Sequence, residues 1–316
     1  MNTLKEIPKV ELHVHLDGSV RYETLKEFKN ITKEDVMCNN CKNLSEYLTK
    51  FNLPIEIMQT KEMLTRIAKE LVEDLKKDNV IYAEVRFAPI LHTKYLSLEE
   101  VVEAVLLGLK DKDLKVNLIL CMMRNSNFIE NKKIIDLTYK YLNKGVVGID
   151  LAGDEKNYKT NNFKDLFKII NDLKMPFTIH AGEADGIDSI LSAIDFNAKR
   201  IGHGVRCIED EKVINLIKEK NITLEVCPTS NVDTNMFDYI NHPIKQLYDQ
   251  DVLVTINTDN RTVSNITLTE EYEKLNKYFN FGIEDFKKLN INAINASFLS
   301  EEEKSKYINK FYKTMN

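Results

Sequence analysis

Residues 80–123, VIYAEVRFAPILHTKYLSLEEVVEAVLLGLKDKDLKVNLILCMM, combine two patterns in alternation. The runs Val80–Phe87 and Val116–Met123 are short and apolar, as is typical of strands covered on both faces. Between them, Ser97 and Glu100 form a capping box at the start of a helical pattern. The apolar face of that pattern consists of Leu98, Val101, Val102, Val105, Leu106 and Leu109. A strand–helix–strand unit of this kind predicts a parallel sheet with helices outside it.

The same alternation extends in both directions along the chain. The eight predicted strands are Val10–Leu16, Val80–Phe87, Val116–Met123, Val146–Gly153, Pro176–Glu183, Arg200–Gly204, Ile222–Pro228 and Val252–Asn260. The predicted helices between them are Lys61–Lys77, Ser97–Lys112, Asn131–Asn143, Phe163–Leu173 and Glu209–Lys220. Eight such units predict an α/β protein with a (β/α)₈ TIM-type barrel. A doubly wound open sheet is the alternative, but no G-x-G-x-x-G follows the first strand.

No stretch of the 316 residues is rich enough in Pro, Gly or Ser to indicate a linker between domains. We therefore expect a single domain over residues 1–316. Extra helices are expected after strand 1, at about 21–77, and at the C-terminus, at about 262–316. The C-terminal helices are predicted to pack on the barrel, and Ser300 and Glu303 supply a capping box for one of them.

The charge balance disfavours two classes of partner. The chain has 44 basic and 49 acidic residues, a formal charge of −5, and no long run of either sign. This argues against nucleic-acid binding and against binding to a membrane surface. No secretory signal is visible at the N-terminus, and the apolar stretches are too short to span a bilayer. The oligomeric state stays open, and a monomer is compatible with a chain of this size.

The five cysteines, an odd number, fit a reducing compartment better than a disulfide framework, so we expect a cytoplasmic protein. Cys38 and Cys41 form a C-x-x-C that could hold a metal or a redox couple. Because no second pair lies nearby, incidental spacing is the favoured interpretation.

Polar residues gather where the predicted strands end, which is the end of a barrel where the βα loops meet and active sites form. The clusters are His13–Gly18, Asp150–Asp154, His180–Glu183, Gly202–Gly204 and Asn257–Asn260. Four of the six histidines lie in them. The other two, His92 and His242, are isolated and are predicted to cap or pack.

His13 and His15 are two residues apart on a strand, so both imidazoles point the same way. His180 and Asp259 can complete a set of three histidines and one aspartate, which is typical of a catalytic zinc site. A lone H-x-H would be as well explained by buried, hydrogen-bonded histidines. Joined with His180, His203 and Asp259 at matching strand ends, it predicts one zinc ion per subunit.

Six motifs carry a resemblance to a known family. They are Glu11–Ser19 (ELHVHLDGS), Tyr82–Phe87 (YAEVRF), Gly148–Glu155 (GIDLAGDE), His180–Glu183 (HAGE), Ile201–Gly204 (IGHG) and Asn257–Asp259 (NTD). Together, and in this order, they resemble the adenosine deaminase family of the amidohydrolase superfamily. The resemblance implies hydrolytic removal of the 6-amino group of a purine nucleoside, adenosine and also 2′-deoxyadenosine, with release of ammonia.

The resemblance also implies roles for two catalytic residues beside the zinc. Glu183 would protonate ring N1 during attack at C6, which requires that an apolar pocket hold its carboxyl group protonated. His203 would take a proton from the attacking water or stabilise the hydroxide that forms.

Four residues are predicted to contact the substrate. Asp17 matches a carboxylate that receives the ribose 5′-hydroxyl, Gly153 matches a glycine whose N–H meets purine N3, and His15 faces the substrate as well. Asn260 stands where many relatives have a second Asp. An amide NH₂ donates at any pH, so Asn260 is predicted to bind purine N7 without a shifted pKa.

The remaining candidates are supporting residues. Asp150, Ser230 and Glu225 could orient the water or a ligand, although an ordinary polar role is equally compatible with the sequence. Leu44, Tyr47, Leu48 and Phe51 lie on one face of a short helix, and Met123 ends strand 3. The resemblance implies that this helix covers the nucleoside, whereas its periodicity alone would favour a core helix.

Three rival functions remain. An adenine deaminase or an N6-substituted purine nucleotide deaminase would use the same chemistry. A non-catalytic purine-binding barrel would show an incomplete metal set, but every expected position is filled. A binuclear site would need a bridging side chain at the end of strand 4, where Asp150 is the candidate. A cytidine-deaminase site is excluded, because the chain has no H-x-E…P-C-x-x-C.

Overall fold

Eight strands form the centre of the molecule, one at each predicted run. The computed structural model describes residues 4–38 and 41–315. The strands are β1 Lys9–His15, β2 Val80–Phe87, β3 Lys115–Met123, β4 Val146–Ala152, β5 His180–Ala181, β6 Arg200–His203, β7 Thr223–Val226 and β8 Val254–Ile256. All neighbouring strands are parallel.

The strands are arranged as two four-stranded sheets that meet at both edges. Their orders are β1-β2-β3-β4 and β5-β6-β7-β8. Isolated parallel bridges join Val14 to Asp259 at one seam and Ile149 to Phe177 at the other. At the first seam, the His15 amide donates to the Asp259 carbonyl at 2.7 Å. The predicted (β/α)₈ architecture is confirmed, with short bridges rather than long ladders at the two seams.

Helices connect the strands on the outside. They are α1 Tyr22–Lys26, α2 Lys33–Val36, α3 Leu44–Leu48, α4 Asn52–Ile57, α5 Lys61–Lys77, α6 Leu98–Gly108, α7 Phe128–Tyr141, α8 Lys164–Asp172, α9 Ile187–Asp195, α10 Glu211–Glu219, α11 Pro228–Asp233, α12 Ile244–Asp249, α13 Leu268–Phe279, α14 Ile283–Ala296 and α15 Glu301–Met315. The five helices predicted between strands are present. The Ser97–Glu100 capping box at the start of α6 is present as well.

Several strands are shorter than predicted, most clearly β5 and β8. In β8 the ladder ends at Ile256, and the Asn257 side chain then accepts from the backbone amides of Leu12 and His13. At β5, Pro176 has no N–H to pair, and only the Phe177 bridge joins this segment to β4 before His180. The predicted end of strand 7 at Pro228 is instead the first residue of α11.

The extra helices lie where they were expected. Helices α1–α5 follow β1, and α13–α15 follow β8. At the end of the barrel opposite the polar strand ends, the Val10 amide donates to Asn290 Oδ1 of α14 at 2.8 Å. An apolar cluster with Val10, Leu12 and Phe311 adds to this contact. The C-terminal helices therefore pack on the barrel, as predicted.

The C-x-x-C differs from its prediction. Cys38 and Cys41 are joined in a disulfide, with their Cα atoms 5.6 Å apart, so incidental spacing was the wrong interpretation. Both cysteines lie in a buried cluster with Leu44, Tyr47 and Val263. The other three cysteines are buried free thiols. Across the described residues, every helix is too short or too polar to cross a bilayer.

Candidate active site

The predicted metal ligands converge at the C-terminal ends of β1, β5 and β8. His15 Nε2 lies 3.1 Å from His180 Nε2 and 3.4 Å from Asp259 Oδ1. His13 Nε2 lies 3.3 Å from the same carboxylate oxygen. One donor atom from each of the four residues lies within 4.8 Å of the others, and all four residues are buried. Three imidazole nitrogens and one carboxylate oxygen at this spacing can hold a single divalent ion.

Burial alone would lower the pKa of His13, but the adjacent carboxylates of Asp259 and Glu225 raise it. The pKa shifts of two other cluster residues suit metal binding. Burial lowers the pKa of His15 to about 3, so its imidazole is neutral at physiological pH. Burial opposes ionisation of Asp259, but the neighbouring His13 imidazole holds the pKa of this carboxyl well below its ordinary value. Within the described chain, His13 Nε2 has no hydrogen-bond partner. A buried nitrogen without a partner, facing a carboxylate, fits a bound cation.

Two site residues have a left-handed backbone. His203 has a φ of 60° and Asp259 a φ of 59°, a region that side chains other than glycine rarely adopt. At Asp259 the strained residue is held by its two backbone hydrogen bonds to β1, including its own amide to the His13 carbonyl at 3.0 Å. Strain of this kind often marks functional positions, and here it turns both side chains into the barrel mouth.

The three predicted supporting residues contact the metal-ligand set. Glu225 Oε2 lies 2.9 Å from His13 Nδ1, and Asp150 Oδ2 lies 2.9 Å from His180 Nδ1. Ser230 Oγ donates to Asp259 Oδ2 at 2.6 Å. With each Nδ1 held against a carboxylate, the Nε2 atoms of His13 and His180 are directed at the ion position.

Arg86 joins two of these carboxylates, a role that the sequence analysis missed although the residue lies in a quoted motif. Its guanidinium donates to Asp150 Oδ2 at 2.9 Å and to Glu225 Oε2 at 2.7 Å. Because both Arg86 and His180 engage the Asp150 carboxylate, this residue is not free to bridge a second ion. The structure therefore gives no support to the binuclear alternative.

Glu183 lines the same cavity and lies in a loop whose backbone is held by Glu155. Burial raises the pKa of the Glu183 carboxyl well above its ordinary value, and the charges of Asp259 and Glu155 raise it further. Glu155 itself is buried and accepts from the backbone amides of residues 182–185 at 2.6–3.1 Å. The sequence analysis did not predict that Glu155 holds this loop, although Glu155 is the last residue of the quoted Gly148–Glu155 motif.

His203 lies beside Glu183, with Nε2 3.6 Å from Glu183 Oε2 and 4.0 Å from Asp259 Oδ2. Burial lowers the pKa of its imidazole well below the ordinary value. Its other nitrogen, Nδ1, lies 3.0 Å from the amide nitrogen of Asn231. His203 is thus a neutral imidazole with one nitrogen open toward the ion position.

These groups lie at the base of a cavity of about 410 Å³, a size typical of small-molecule sites. The predicted residues that line it are His15, Asp17, Leu44, Tyr47, Leu48, Phe51, Met123, Gly153, His180, Glu183, His203, Asp259 and Asn260. Sequence reasoning missed others, among them Ile55, Ala88, Leu91, Cys121, Asn125, Ala152, Asp154 and Tyr158. Most of these follow a strand end or the predicted covering helix, but no pattern in the sequence singled them out.

The predicted substrate-binding residues have distinct surroundings. Asp17 is buried, and its Oδ1 has no hydrogen-bond partner among the described residues. Gly153 has a φ of +102°, which strongly favours glycine. Asn260 donates its amide to the Tyr47 hydroxyl at 3.0 Å, and Tyr47 also bonds Ser264 Oγ at 2.8 Å. A side chain at Gly18 would collide with Asn260, so this glycine makes room for the amide.

The two isolated histidines are buried and hydrogen-bonded, as predicted. His92 Nδ1 lies 3.0 Å from the Met58 carbonyl, and its Nε2 lies 3.8 Å from Asp17 Oδ2, just behind the cavity wall. His242 Nε2 lies 3.2 Å from Asn231 Oδ1. Each of these histidines also contacts a residue connected to the site. His92 lies near Asp17, and His242 contacts Asn231, which in turn contacts His203.

Comparison with known proteins agrees with this geometry. The Adenosine deaminase family matches residues 8–314. An adenosine deaminase of Clostridium botulinum is 43% identical over 322 residues, covering 96% of this chain and 97% of the relative. An N6-mAMP deaminase of Arabidopsis superposes with a TM-score of 0.88 at 28% identity, covering 98% of this chain and 99% of that one. An adenine deaminase of Arthrobacter aurescens shares the fold, with a TM-score of 0.88, 24% identity and coverage of 97% and 98%.

Proposed function

The chain belongs to the adenosine deaminase family, and we propose that it hydrolyses adenosine, and also 2′-deoxyadenosine, to the inosine-type product and ammonia. The observation that carries this proposal is the convergence of His13, His15, His180 and Asp259 in one cavity with the buried Glu183, whose carboxyl pKa is raised by burial. The purine C6 is a poor electrophile and an amine is a poor leaving group, so the reaction needs both an activated water and an acid.

We assign the four-residue cluster to one zinc ion per subunit. Neutral imidazoles with one carboxylate, all buried, are the donors that zinc prefers in catalytic sites. When bound, zinc would supply Lewis acidity and lower the pKa of a water molecule from ~15.7 toward ~7. Ser230, Asp150 and Glu225 would keep the ligands in place.

Glu183 would provide the proton for ring N1. As the attacking oxygen adds to C6, electrons move onto N1, and this nitrogen has to be protonated. A carboxyl group whose pKa is raised by burial and by two acidic neighbours still carries its proton at neutral pH. The loop contacts made by Glu155 hold the backbone of Glu183 in place for this transfer.

The rest of the cavity would bind a neutral nucleoside. Asp17 Oδ1 is a buried acceptor without a partner, which suits the ribose 5′-hydroxyl. We assign purine N3 to Gly153 and N7 to the Asn260 amide. The apolar covering residues Leu44, Leu48 and Phe51 would exclude water from the base.

Charge favours the nucleoside over the rival nucleotide substrates. Among the described residues that line the cavity there is no lysine or arginine, whereas Asp17 and Asp154 are acidic and have no assigned proton or metal. A phosphate at the 5′ position would therefore meet repulsion without a compensating cation. Free adenine would leave the buried Asp17 carboxylate without its hydroxyl donor, which costs binding energy.

The test is a parallel assay of four substrates. Zinc-loaded protein is mixed with adenosine, 2′-deoxyadenosine, adenine or N6-methyl-AMP, and both the ultraviolet absorbance and the released ammonia are followed. We expect kcat/KM for the two nucleosides to exceed that for adenine and the nucleotide by at least about 100-fold. Chelator treatment should abolish turnover, and added zinc should restore it. Faster conversion of adenine or the nucleotide would contradict the substrate assignment.

The cellular setting is a further part of the proposal. We infer an enzyme of nucleoside metabolism from the small-molecule cavity. Its cytoplasmic location stays a prediction, which the three buried free thiols favour and the Cys38–Cys41 disulfide does not. The acidic formal charge of −5 and the absence of basic runs support a protein that does not bind nucleic acid.

A further inference from the structure

A chain of three buried side chains leads from the cavity to the start of α12. His203 Nδ1 lies 3.0 Å from Asn231 Nδ2, and Asn231 Oδ1 lies 3.2 Å from His242 Nε2. His242 Nδ1 in turn accepts from the backbone amide of Ile244 at 3.2 Å. His203 and Asn231 are fully buried, and His242 is 3% exposed. Only His203 lines the cavity.

The donor and the acceptor of each hydrogen bond in this series of side chains can be assigned by starting from the Ile244 amide. The Ile244 N–H can only donate, so His242 Nδ1 is an unprotonated acceptor. Burial lowers the pKa of His242 to about 3, so the ring is neutral and its single proton is on Nε2. That N–H donates to Asn231, which must therefore present its carbonyl oxygen to His242. The amide NH₂ is left to face His203.

A second contact of Asn231 supports the same amide orientation. Asn231 Nδ2 also approaches the sulfur of Met236 at 4.0 Å, and a thioether accepts hydrogen bonds but does not donate them. Rotating the amide by half a turn would place its oxygen against this sulfur, and would bring its NH₂ against the N–H of His242. Both contacts would become unfavourable.

The consequence for His203 is a defined tautomer. Because Asn231 donates to Nδ1, the proton of the neutral imidazole is on Nε2. This is the nitrogen that has no partner among the described residues and lies 3.6 Å from Glu183 Oε2. A proton on Nδ1 would point at the Asn231 NH₂, donor against donor. The imidazolium form and the tautomer with a free Nε2 lone pair both suffer this clash.

We propose that Asn231 and His242 are positioning residues that hold His203 as the Nε2–H tautomer, so that His203 donates a hydrogen bond to the attacking oxygen rather than accepting its proton. The inference rests on the proposed function for the identity of that oxygen, and it narrows the two roles considered for His203. Glu183 becomes a carboxylate once it has protonated N1. It is then an acceptor in the cavity for the proton of the added oxygen, which it passes to the leaving amine. Glu183 is left as a carboxylate after ammonia departs, and it takes its proton back from the next water that enters the site as that water becomes the attacking oxygen.

The direct test is the tautomer itself. The protein is labelled with ¹⁵N in its histidine rings, which number six, and the ring nitrogens are observed by NMR in the zinc-loaded enzyme. Spectra of His203→Gln and His242→Gln assign the two rings by loss of signals. We expect both rings to carry a proton on Nε2 and none on Nδ1. A proton on Nδ1 of His203 would overturn the proposal. This readout needs no turnover, so it is independent of whether adenosine is the substrate.

A matched pair of variants tests the coupling between His242 and His203. In His242→Gln, the amide nitrogen reaches the position of Nε2 and can still donate to Asn231. In His242→Phe, a ring of similar size has no donor, and the Asn231 amide is free to rotate. We expect kcat to fall about tenfold in the Phe variant with KM little changed, and to stay within about threefold in the Gln variant.

The wild-type spectrum keeps the proposal testable if the Phe variant does not fold. In a folded Phe variant, the ¹⁵N signals of His203 should show a mixture of tautomers. An unchanged His203 tautomer together with an unchanged kcat would show that His242 has no positioning role.

Discussion

Glu183 shows how surroundings, rather than residue type, determine chemistry at this site. Its carboxyl is buried beside Asp259 and Glu155, and these acidic neighbours add to the effect of burial in raising its pKa. Asp259 is buried as well, but adjacent imidazoles hold its pKa low. Two carboxyl groups in one cavity thereby have pKa values shifted in opposite directions, which is the arrangement that the proposed acid role of Glu183 and metal-ligand role of Asp259 require.

The Glu183→Gln variant tests the acid role. Glutamine has nearly the same shape but cannot release a proton to N1, so we expect kcat for adenosine to fall by at least about 100-fold. Bound zinc, measured by elemental analysis, should stay at one per chain, because Glu183 is not one of the four residues that we assign to the ion, His13, His15, His180 and Asp259. Near-normal turnover with zinc retained would remove Glu183 from this role.

The sequence predicted the candidate metal ligands near the strand ends. It predicted only some of the residues that form hydrogen bonds to the site residues. His13 and His180 are placed by the strands that carry them, and Asp259 follows β8 by three residues. Glu155 contacts the Gly182 amide 27 residues away, and Asn231 contacts His203, which lies 28 residues away in the chain. Such pairings depend on how loops meet in space, and local sequence pattern carries no record of them.

Among the elements, α3 both lines the cavity and contacts Asn260, the residue that we propose binds purine N7. Its residues Leu44 and Tyr47 are buried, and the helix begins at Asn43, whose side chain accepts from the Glu46 amide. Tyr47 accepts from the Asn260 amide and bonds Ser264 in the loop after β8. The periodicity of this segment alone favoured a core helix. In the structure, the apolar face of α3 lines the cavity.

A Tyr47→Phe variant should weaken substrate binding. Removing the hydroxyl leaves the Asn260 amide free to rotate and to turn its oxygen toward purine N7, acceptor against acceptor. We expect KM for adenosine to rise about three- to tenfold with a smaller change in kcat, measured by steady-state kinetics. Tyr139→Phe, at a side chain that is 56% exposed, is the matched control and should have no effect. An unchanged KM in Tyr47→Phe would separate Tyr47 from base recognition.

Element lengths were predicted less well than element positions. The strands β5 and β8 contain only two and three residues. Where a longer ladder was expected, the Phe177 bridge precedes β5, and the Asn257 side chain follows β8 and bonds to β1. Helices α11 and α12 were not predicted, since six residues are too few to show a helical period. Both matter for function, because α11 carries Asn231 and α12 supplies the Ile244 amide.

In the whole molecule, the barrel interior is charged rather than purely apolar. Arg200 pairs with Glu84 and with Glu225, and Arg86 pairs with Glu225 and Asp150. All five side chains are almost fully buried. Buried ion pairs of this kind add little net stability, because desolvation offsets their attraction. Their contribution here is geometric, since Glu225 and Asp150 also contact two metal-ligand histidines. The alternation of strands and helices predicts the barrel, but not this internal network.

The ion position also bears on the stability of the whole barrel. Its candidate ligands lie on β1 and β5 and just after β8, so a bound ion would link the two sheets across the seam that the Val14–Asp259 bridge closes. A ligand present at 100 times its Kd stabilises the folded state by about 2.7 kcal/mol. We therefore expect a chelator to lower the Tm by about 5 °C, measured by calorimetry, and zinc to restore it. The His15→Gln variant, lacking one ligand, should respond much less. An equal Tm with and without chelator in the wild-type protein would contradict an ion that joins the sheets.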